Sequence, residues 1–301
     1  MKKFAIFFLF ASLLTFKIFA DDSFEKKDPV CPVLDKNYIK IPSGKFISGS
    51  SKEEKEAASI IPNLEEREPG IHEKNLEEFE ISKTLVTQQE YKWFVRWTGH
   101  RTPSITALEW KLQKEDFDFE IPAAFTFEEK VKKYSWTSIR PAPSLTKNPV
   151  VLVSRKDAEK YAEWLSERDG CIYRLPTADE WEKASRGKDG RTYPWGKTWN
   201  SDNLNAENTA KGTSAVGEYE KDKSPYGMLD AMGNVMEWTS DTTETNDKDL
   251  VDKAITKGCS WYSIPETCRA AFFREWNENV KHILIGFRLV REVPKKQEID
   301  Q

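Results

Sequence analysis

The sequence predicts a mixed α and β fold built from short helices, short strands and many loops. Two segments, FEISKTLVTQQEY and CIYRLPTADEWEKASRG, pass from an apolar strand-like run into helical periodicity at a capping box. Beyond the motif YPWG the chain has many Gly, Asn and turn residues and few good helix formers. Eleven Trp and seventeen Phe can fill a sizeable core, so we expect tertiary contacts rather than long elements to hold the fold together.

Residues 1–20 have the pattern of a cleaved secretory signal. Two lysines precede an apolar run over 4–16, and Ala20 stands directly before Asp21. The run is too short for a comfortable membrane span, and no later stretch reaches the ~20 apolar residues that a spanning helix needs. The sequence therefore predicts an exported protein, periplasmic or secreted, without a membrane span after cleavage. An uncleaved N-terminal anchor is the alternative.

Charge and cysteine content limit the possible partners and compartments. The chain has a formal net charge of −4, and removal of the three lysines in residues 1–20 makes it more acidic. Net acidity without a basic cluster argues against binding to nucleic acid or anionic lipid. Four cysteines are an even number, and in an oxidising compartment they favour two disulfides, for which three pairings are possible.

The remaining chain divides by composition. Residues 21–37 are charged and contain Pro, which predicts a mobile leader, and residues 293–301 form a charged tail. Residues 38–292 are the predicted domain. Within it, the alternation in YIKIPSGKFISGS predicts a hairpin over 38–49, the charged stretch 51–70 predicts a loop, and residues 101–147 show no dominant period.

Helix signals recur at three places. Each predicted helix begins at a Ser or Thr that is followed three residues later by an acidic residue, and each ends at a Gly. The capping pairs are Thr87 with Glu90, Ser154 with Asp157 and Thr177 with Glu180, and the glycines are Gly99, Gly170 and Gly187. These signals predict helices near 88–97, 155–168 and 178–186. The apolar run VVLV before the second helix predicts a strand.

Eight motifs occur in a fixed order over roughly residues 38–292: FISGS, FEISKTLVTQQEY, NPVVLVS, YRLPTADEWEKASRG, YPWG, YGMLDAMGNVMEW, KGCSW and GFRLV. This order resembles the formylglycine-generating enzyme, or sulfatase-modifying factor, family. The resemblance implies a C-type-lectin-like α+β fold. It also implies, for members that make formylglycine, oxidation of a sulfatase cysteine by two active-site cysteines that bind copper(I). Other branches include an iron-dependent sulfoxide synthase, a pyoverdine-maturation branch and lectin-like binding members, so the fold alone does not settle the chemistry.

The candidate catalytic loop departs from the family pattern. The GGS[WY] motif of the copper-using members corresponds here to Gly258, Cys259, Ser260 and Trp261. Counting onward, Ser263 stands at the position of the first catalytic cysteine and Cys268 at that of the second. A hydroxyl is a poor copper(I) ligand, so we expect neither copper binding nor formylglycine formation. Ser260, Ser263 and Cys268 remain the candidate catalytic residues for an altered reaction.

Three interpretations of the cysteines are open. A disulfide between Cys259 and Cys268 is favoured, and closing a loop of about ten residues stabilises a fold by roughly 2.7 kcal/mol in the chain-entropy model. A thiol pair that binds metal or performs redox chemistry is the second, and it requires lowered thiol pKa values and partial exposure. In the third, either cysteine pairs with Cys171 or with Cys31.

The segment YGMLDAMGNVMEW is a candidate calcium site. Two carboxylates, Asp230 and Glu237, bracket a tight turn, and oxygen ligands of this kind suit calcium. The resemblance implies the same site, formed by Asp230, the carbonyls of Gly233 and Val235, and Glu237. It further implies a second calcium at Asn205 and the carbonyl of Ala206. The alternative is a turn in which Asp230 caps backbone amides and Glu237 makes an ion pair.

Other residues have mainly structural interpretations. Met236 replaces a tryptophan that is common in the family. Arg269, Arg274 and Arg288 could bind an acidic substrate, but structural ion pairs are the better interpretation. His72, His100 and His282 have no spacing that predicts an iron site.

Two functions of different classes follow. The first is an exported enzyme of the formylglycine-generating type with altered oxidation or maturation chemistry in the family groove. The second is a non-catalytic C-type-lectin-like module that binds a protein, peptide or glycan.

Overall fold

The computed structural model describes residues 31, 35–61, 64, 68–115, 126–243 and 253–292. The predicted signal peptide, most of the predicted leader and the predicted charged tail lie outside these residues. Cys31, which the sequence places in a mobile leader, is instead held by a disulfide to Cys171. Within the described residues, no helix is long and apolar enough to cross a membrane.

Short elements make up the fold. The α-helices are α1 (Lys52–Ala57), α2 (Gln88–Thr98), α3 (Ala107–Glu115), α4 (Arg155–Asp169) and α5 (Ala178–Arg186). The strands are β1 (Tyr38–Ile41), β2 (Gly44–Ser48), β3 (His72–Leu76), β4 (Phe79–Ser82), β5 (Ile172–Arg174), β6 (Met236–Thr243), β7 (Lys253–Lys257), β8 (Phe273–Asn277), β9 (Ile285–Gly286) and β10 (Val290–Glu292).

In the part of the chain that the structure describes, the strands form two four-stranded sheets and one two-stranded sheet. The first sheet has the antiparallel order β1-β4-β10-β5, and the second has the order β8-β7-β6-β9, in which β6 and β9 are parallel. Strands β2 and β3 form the separate two-stranded antiparallel sheet. Because β10 lies near the C-terminus and β1 near the N-terminus, the first sheet joins both ends of the described chain.

The predicted hairpin over 38–49 is wrong. Both strands exist, but β1 pairs with β4, so that Ile41 lies opposite Phe79, and β2 pairs with β3. Only Pro42 and Ser43 separate the two strands, and two-residue hairpin loops need residues that adopt positive φ at the turn. The chain therefore leaves one sheet here and enters another.

The three predicted helices are confirmed as α2, α4 and α5, and all three capping boxes are present. The prediction of a loop over 51–70 is wrong at its start, because Ser51 and Glu54 form a further capping box that begins α1. Residues 107–115 form α3, although the sequence there has little periodicity.

The predicted strand VVLV is also wrong. Residues 150–153 are fully buried but irregular, and Leu152 has a φ of 60°. Their amides bond across the fold instead, with Val150 N–H donating to Val86 O and Leu152 N–H to His282 O. An apolar run marks burial, and it does not by itself specify a strand.

Buried apolar side chains form two large clusters. The first packs α2 and α4 against residues 150–153 and the segment 283–289. The second surrounds Trp181 of α5 and includes Cys259 and Cys268. Leu289 belongs to the first cluster and Val290 to the second, because successive side chains of an extended segment point to opposite faces. The loop that carries the candidate catalytic residues thus lies against the second cluster.

Candidate functional site

Backbone hydrogen bonds on both sides fix the loop that follows β7. On one side, Cys259 N–H donates to Met232 O at 2.7 Å and Trp261 N–H to Asn234 O at 2.8 Å. On the other, Trp261 O accepts from Asn208 N–H at 2.7 Å. The structure therefore brings together the candidate catalytic loop and both candidate calcium segments, which are more than 20 residues apart in the chain.

Two glycines allow this close packing. Gly258 has a φ of 76°, and a Cβ there would stand 2.9 Å from the ring of Trp181. A Cβ on Gly233 would stand 2.9 Å from Asn205 O. Both distances are shorter than ordinary van der Waals contact, so a larger residue at either position would push the loop or the turn out of place.

Cys259 and Cys268 form a disulfide, as the favoured interpretation predicts. Their Cα atoms are 5.0 Å apart and both residues are buried. The remaining two cysteines, Cys31 and Cys171, form the second disulfide, and the chain has no free cysteine. The crossed pairings are therefore excluded, and Cys268 offers no thiol in this state.

Ser260 and Ser263 hydrogen-bond to each other. The Oγ atoms are 3.0 Å apart, and Ser263 Oγ also accepts from Ser260 N–H at 3.0 Å. Both residues are buried. A linear copper(I) site needs two opposed thiolates, whereas this loop presents two hydroxyls and a disulfide. The donor set does not fit copper, and within the described residues no titratable side chain hydrogen-bonds to either hydroxyl.

Next to the loop lies a cluster of buried carboxyl groups. Glu237 receives two bonds from Arg288, from Nε to Oε2 at 2.6 Å and from Nη2 to Oε1 at 2.8 Å. Asp230, with a φ of 46°, accepts from Gly217 N–H at 2.7 Å. Arg288 also donates to the carbonyl of Asp230 at 2.9 Å. The structure thus shows the contacts of the alternative interpretation, in which Asp230 caps a backbone amide and Glu237 makes an ion pair.

Asp222 adds a third carboxyl group that the sequence analysis missed. Its Oδ2 accepts from Gly233 N–H at 2.8 Å, while its Oδ1 has no partner among the described residues. Burial raises the pKa of Asp222 to about 8 and that of Asp230 to about 6. Burial also raises the pKa of Glu237, although Arg288 opposes the shift. Arg288 thus offers one positive charge to three buried carboxyl groups. A divalent cation or a proton would offset the remaining negative charge.

The second candidate calcium segment also carries buried acceptors that lack partners. Asn205 Nδ2 donates to Gly212 O and Ser214 Oγ, which leaves its Oδ1 buried and without a described partner. Asn208 Oδ1, three residues further along the chain, is also buried and without a described partner. The carbonyl of Ala206 already accepts two bonds from Thr209. Two buried amide oxygens without described partners fit a cation that prefers oxygen ligands. Asn208 is therefore a further candidate ligand, and its position three residues after Asn205 could have indicated it from the sequence.

The arginines and histidines are structural where the structure describes their contacts. Arg269 makes a buried two-point ion pair with Glu68, with N–O distances of 2.8 and 2.7 Å. The three histidines are dispersed: His100 bonds to Asp157, and His282 stacks on Trp110. In the described part of the chain, no three His, Cys, Asp or Glu side chains converge as a metal site.

The antiparallel first sheet, the mixed second sheet, the short capped helices and the buried loop over 258–268 define a C-type-lectin-like α+β protein. Residues 25–293 match the sulfatase-modifying factor enzyme 1-like domain, and the chain belongs to this formylglycine-generating enzyme family. It shares the fold of PvdO from Pseudomonas aeruginosa, with a TM-score of 0.60 and 19% identity over 85% of this chain and 94% of PvdO.

Curated relatives fall into different functional groups. The mouse protein named inactive C-alpha-formylglycine-generating enzyme 2 is 28% identical over 260 residues, which are 77% of this chain and 78% of the mouse protein. The formylglycine-generating enzyme of Streptomyces coelicolor is 30% identical over 235 residues, 70% of each chain. The relatives of this chain therefore include one named as a formylglycine-generating enzyme and one named as an inactive enzyme.

Proposed function

We propose that this protein is an exported binding member of the family that does not make formylglycine. The observation that carries the proposal is the buried disulfide between Cys259 and Cys268, together with a serine at position 263. The family reaction needs two thiolates at the positions of Ser263 and Cys268. One of these residues is a hydroxyl, and the other is already oxidised and enclosed by the second core cluster.

Altered oxidation chemistry is the weaker of the two functions. A reactive cysteine is a partly exposed thiolate in an electropositive environment, whereas Cys268 is fully buried and bonded to sulfur. Reducing the bond would release two neighbouring thiols that are both buried, beside Trp261, which is itself buried and bonded to Asn234. The name of the mouse relative also supports a member without the family reaction.

Export is supported by the disulfides. Two disulfides involving all four cysteines are rare in a reducing cytosol and common in secreted and periplasmic proteins. The N-terminal pattern of lysines, apolar run and small residue supports the same compartment.

Bound calcium forms part of the proposal as a structural ion. Asn205 and Asn208 would supply side-chain oxygens, and Asp230 lies in the adjoining turn beside the excess of buried carboxyl groups. Chelation should lower the melting temperature of the wild type, because a ligand that binds only the folded state stabilises it. Asp230→Ala should abolish that difference, and an identical melting curve with and without chelator would count against calcium.

A copper titration combined with an oxygen-dependent peptide assay tests the proposed function. The wild type should neither hold copper(I) against a chromophoric chelator nor convert the cysteine of a sulfatase-type peptide. The matched control is the double variant Cys259→Gly/Ser263→Cys, which restores the family residues and should bind copper(I). Turnover by the wild type that disappears in Cys268→Ser would overturn the proposal.

A further inference from the structure

A cavity of about 230 Å³ lies between the first sheet, α2 and α4. Four aromatic side chains line it: Tyr38 of β1, Trp93 of α2, Tyr161 of α4 and Tyr173 of β5. The rings of Tyr38 and Tyr173 have centroids 5.7 Å apart, and Trp93 is 41% exposed at the mouth. The cavity shares no residue with the loop over 258–268.

The same cavity carries an excess of negative charge. Asp35, Glu90 and Asp169 line it together with one cation, Arg168. Arg168 donates two hydrogen bonds to Asp169, from Nε at 2.5 Å and from Nη2 at 2.8 Å. Asp35 and Glu90 make no ion pair with any described residue. One oxygen of Asp35 accepts from Asn37 N–H, and Oε2 of Glu90 accepts from the N-cap residue of α2. The other oxygen of each carboxylate has no hydrogen-bond partner among the described residues.

The tyrosines report the electrostatics of the cavity. Burial raises the pKa of Tyr38 well above its usual range, and neighbouring Tyr173, Tyr161, Asp35 and Glu90 raise it further. For Tyr161, burial raises the pKa and the charge of Glu90 adds to the effect. Burial disfavours charge of either sign here, whereas the negative charges of Asp35 and Glu90 favour a cation over an anion in the cavity.

We propose that this cavity binds an alkylammonium group, the charged end of a quaternary or primary amine. Aromatic walls attract such a cation through the negative faces of their rings, and nearby carboxylates add Coulomb attraction. Two of these rings already lie near cations of the protein itself, since Arg291 lies 5.2 Å from the centroid of Tyr38 and Lys92 lies 5.1 Å from that of Trp93. The site extends the proposed binding function, but it does not depend on the state of the loop over 258–268.

Isothermal titration of the mature protein with choline tests the proposal against 3,3-dimethylbutan-1-ol, the uncharged analogue of the same shape. Choline should bind at least about tenfold more tightly, because only it carries charge. Glu90→Gln keeps a capping oxygen and removes one charge, and Asp35→Asn likewise keeps an acceptor for Asn37 N–H and removes the other charge. Each should weaken choline binding several-fold, and Trp93→Ala should weaken it roughly two- to fivefold. Glu163→Gln, on α4 outside this cavity, is the matched control and should leave the affinity unchanged.

The source of the ammonium group is resolved by further probes. They are a peptide with trimethyllysine, the same peptide with lysine, and phosphatidylcholine vesicles compared with phosphatidylglycerol vesicles. Equal affinity for choline and the neutral alcohol would overturn the proposal, as would unchanged choline binding by a folded Asp35→Asn/Glu90→Gln variant. Absence of binding by every ammonium probe at millimolar concentration would also overturn it. The copper titration reads a different part of the molecule, so the two proposals fail independently.

Discussion

The two disulfides should differ in their contribution to stability by an amount that their loop lengths set. Cys31 and Cys171 are 140 residues apart in sequence, whereas Cys259 and Cys268 are 9 apart. In the chain-entropy model the long loop contributes about 5 kcal/mol and the short loop about 2.7 kcal/mol. We therefore expect the double variant Cys31→Ala/Cys171→Ala to lose about 2.3 kcal/mol more than Cys259→Ala/Cys268→Ala.

Urea unfolding of the two double variants and the wild type measures this difference. Each variant loses two sulfur atoms, so the losses of packing largely cancel in the comparison between variants. The m-value should also rise more when the long loop is opened, because the unfolded chain then exposes more surface. An equal or larger loss for the Cys259 and Cys268 pair would refute the reasoning, and it would show that local packing around the short loop outweighs chain entropy.

Three further predictions concern ionic contacts. Arg288→Met should lower the free energy of unfolding in urea by about 3–5 kcal/mol, because it leaves the buried Glu237 carboxylate without its partner. Adding Glu237→Leu should recover much of that loss. A loss below about 1 kcal/mol for the single variant would contradict the prediction. Burial opposes ionisation of Asp157, but the bond from His100 and nearby positive charge outweigh it and hold its pKa well below the usual range. Stability should therefore be present above about pH 4 and fall as the pH drops, and Asp157→Asn should flatten that acid limb in unfolding measured against pH. Asn208→Ala should remove the effect of chelator on the melting temperature, whereas persistence of the full effect would place calcium elsewhere.

Local signals predicted the helices well because a helix terminus is specified within four residues. The boxes at Thr87, Ser154 and Thr177 each satisfy a backbone donor by a side chain nearby in sequence. The same rule also applies at Ser51, where the high charge of the following residues obscured it. Strand partners were not predictable in this way, since the partner of β1 is β4, which begins 38 residues beyond Ile41.

The candidate site was predictable where its chemistry depends on residue type. Ser263 in place of a thiol is visible in the sequence, and the spacing of Cys259 and Cys268 indicated their disulfide. Asp222 was not predictable, because its importance arises from burial against Gly233 and from an oxygen without a described partner. Burial of a single carboxyl group by distant segments leaves no periodic signal in the chain.

The bond between Cys31 and Cys171 also constrains the order in which the protein is completed. Cys31 is synthesised 140 residues before its partner, an interval of roughly 7–28 seconds at ordinary elongation rates. Cys268 follows Cys259 after only 9 residues, so that pair can close almost as soon as it is made. The Cys31 thiol must wait as a reactive group through this interval, and the closed bond then ties the chain before Asp35 to Cys171, which directly precedes β5. Oxidation of the Cys31 thiol before Cys171 is made should therefore yield molecules that keep the short disulfide and lack the long-range one.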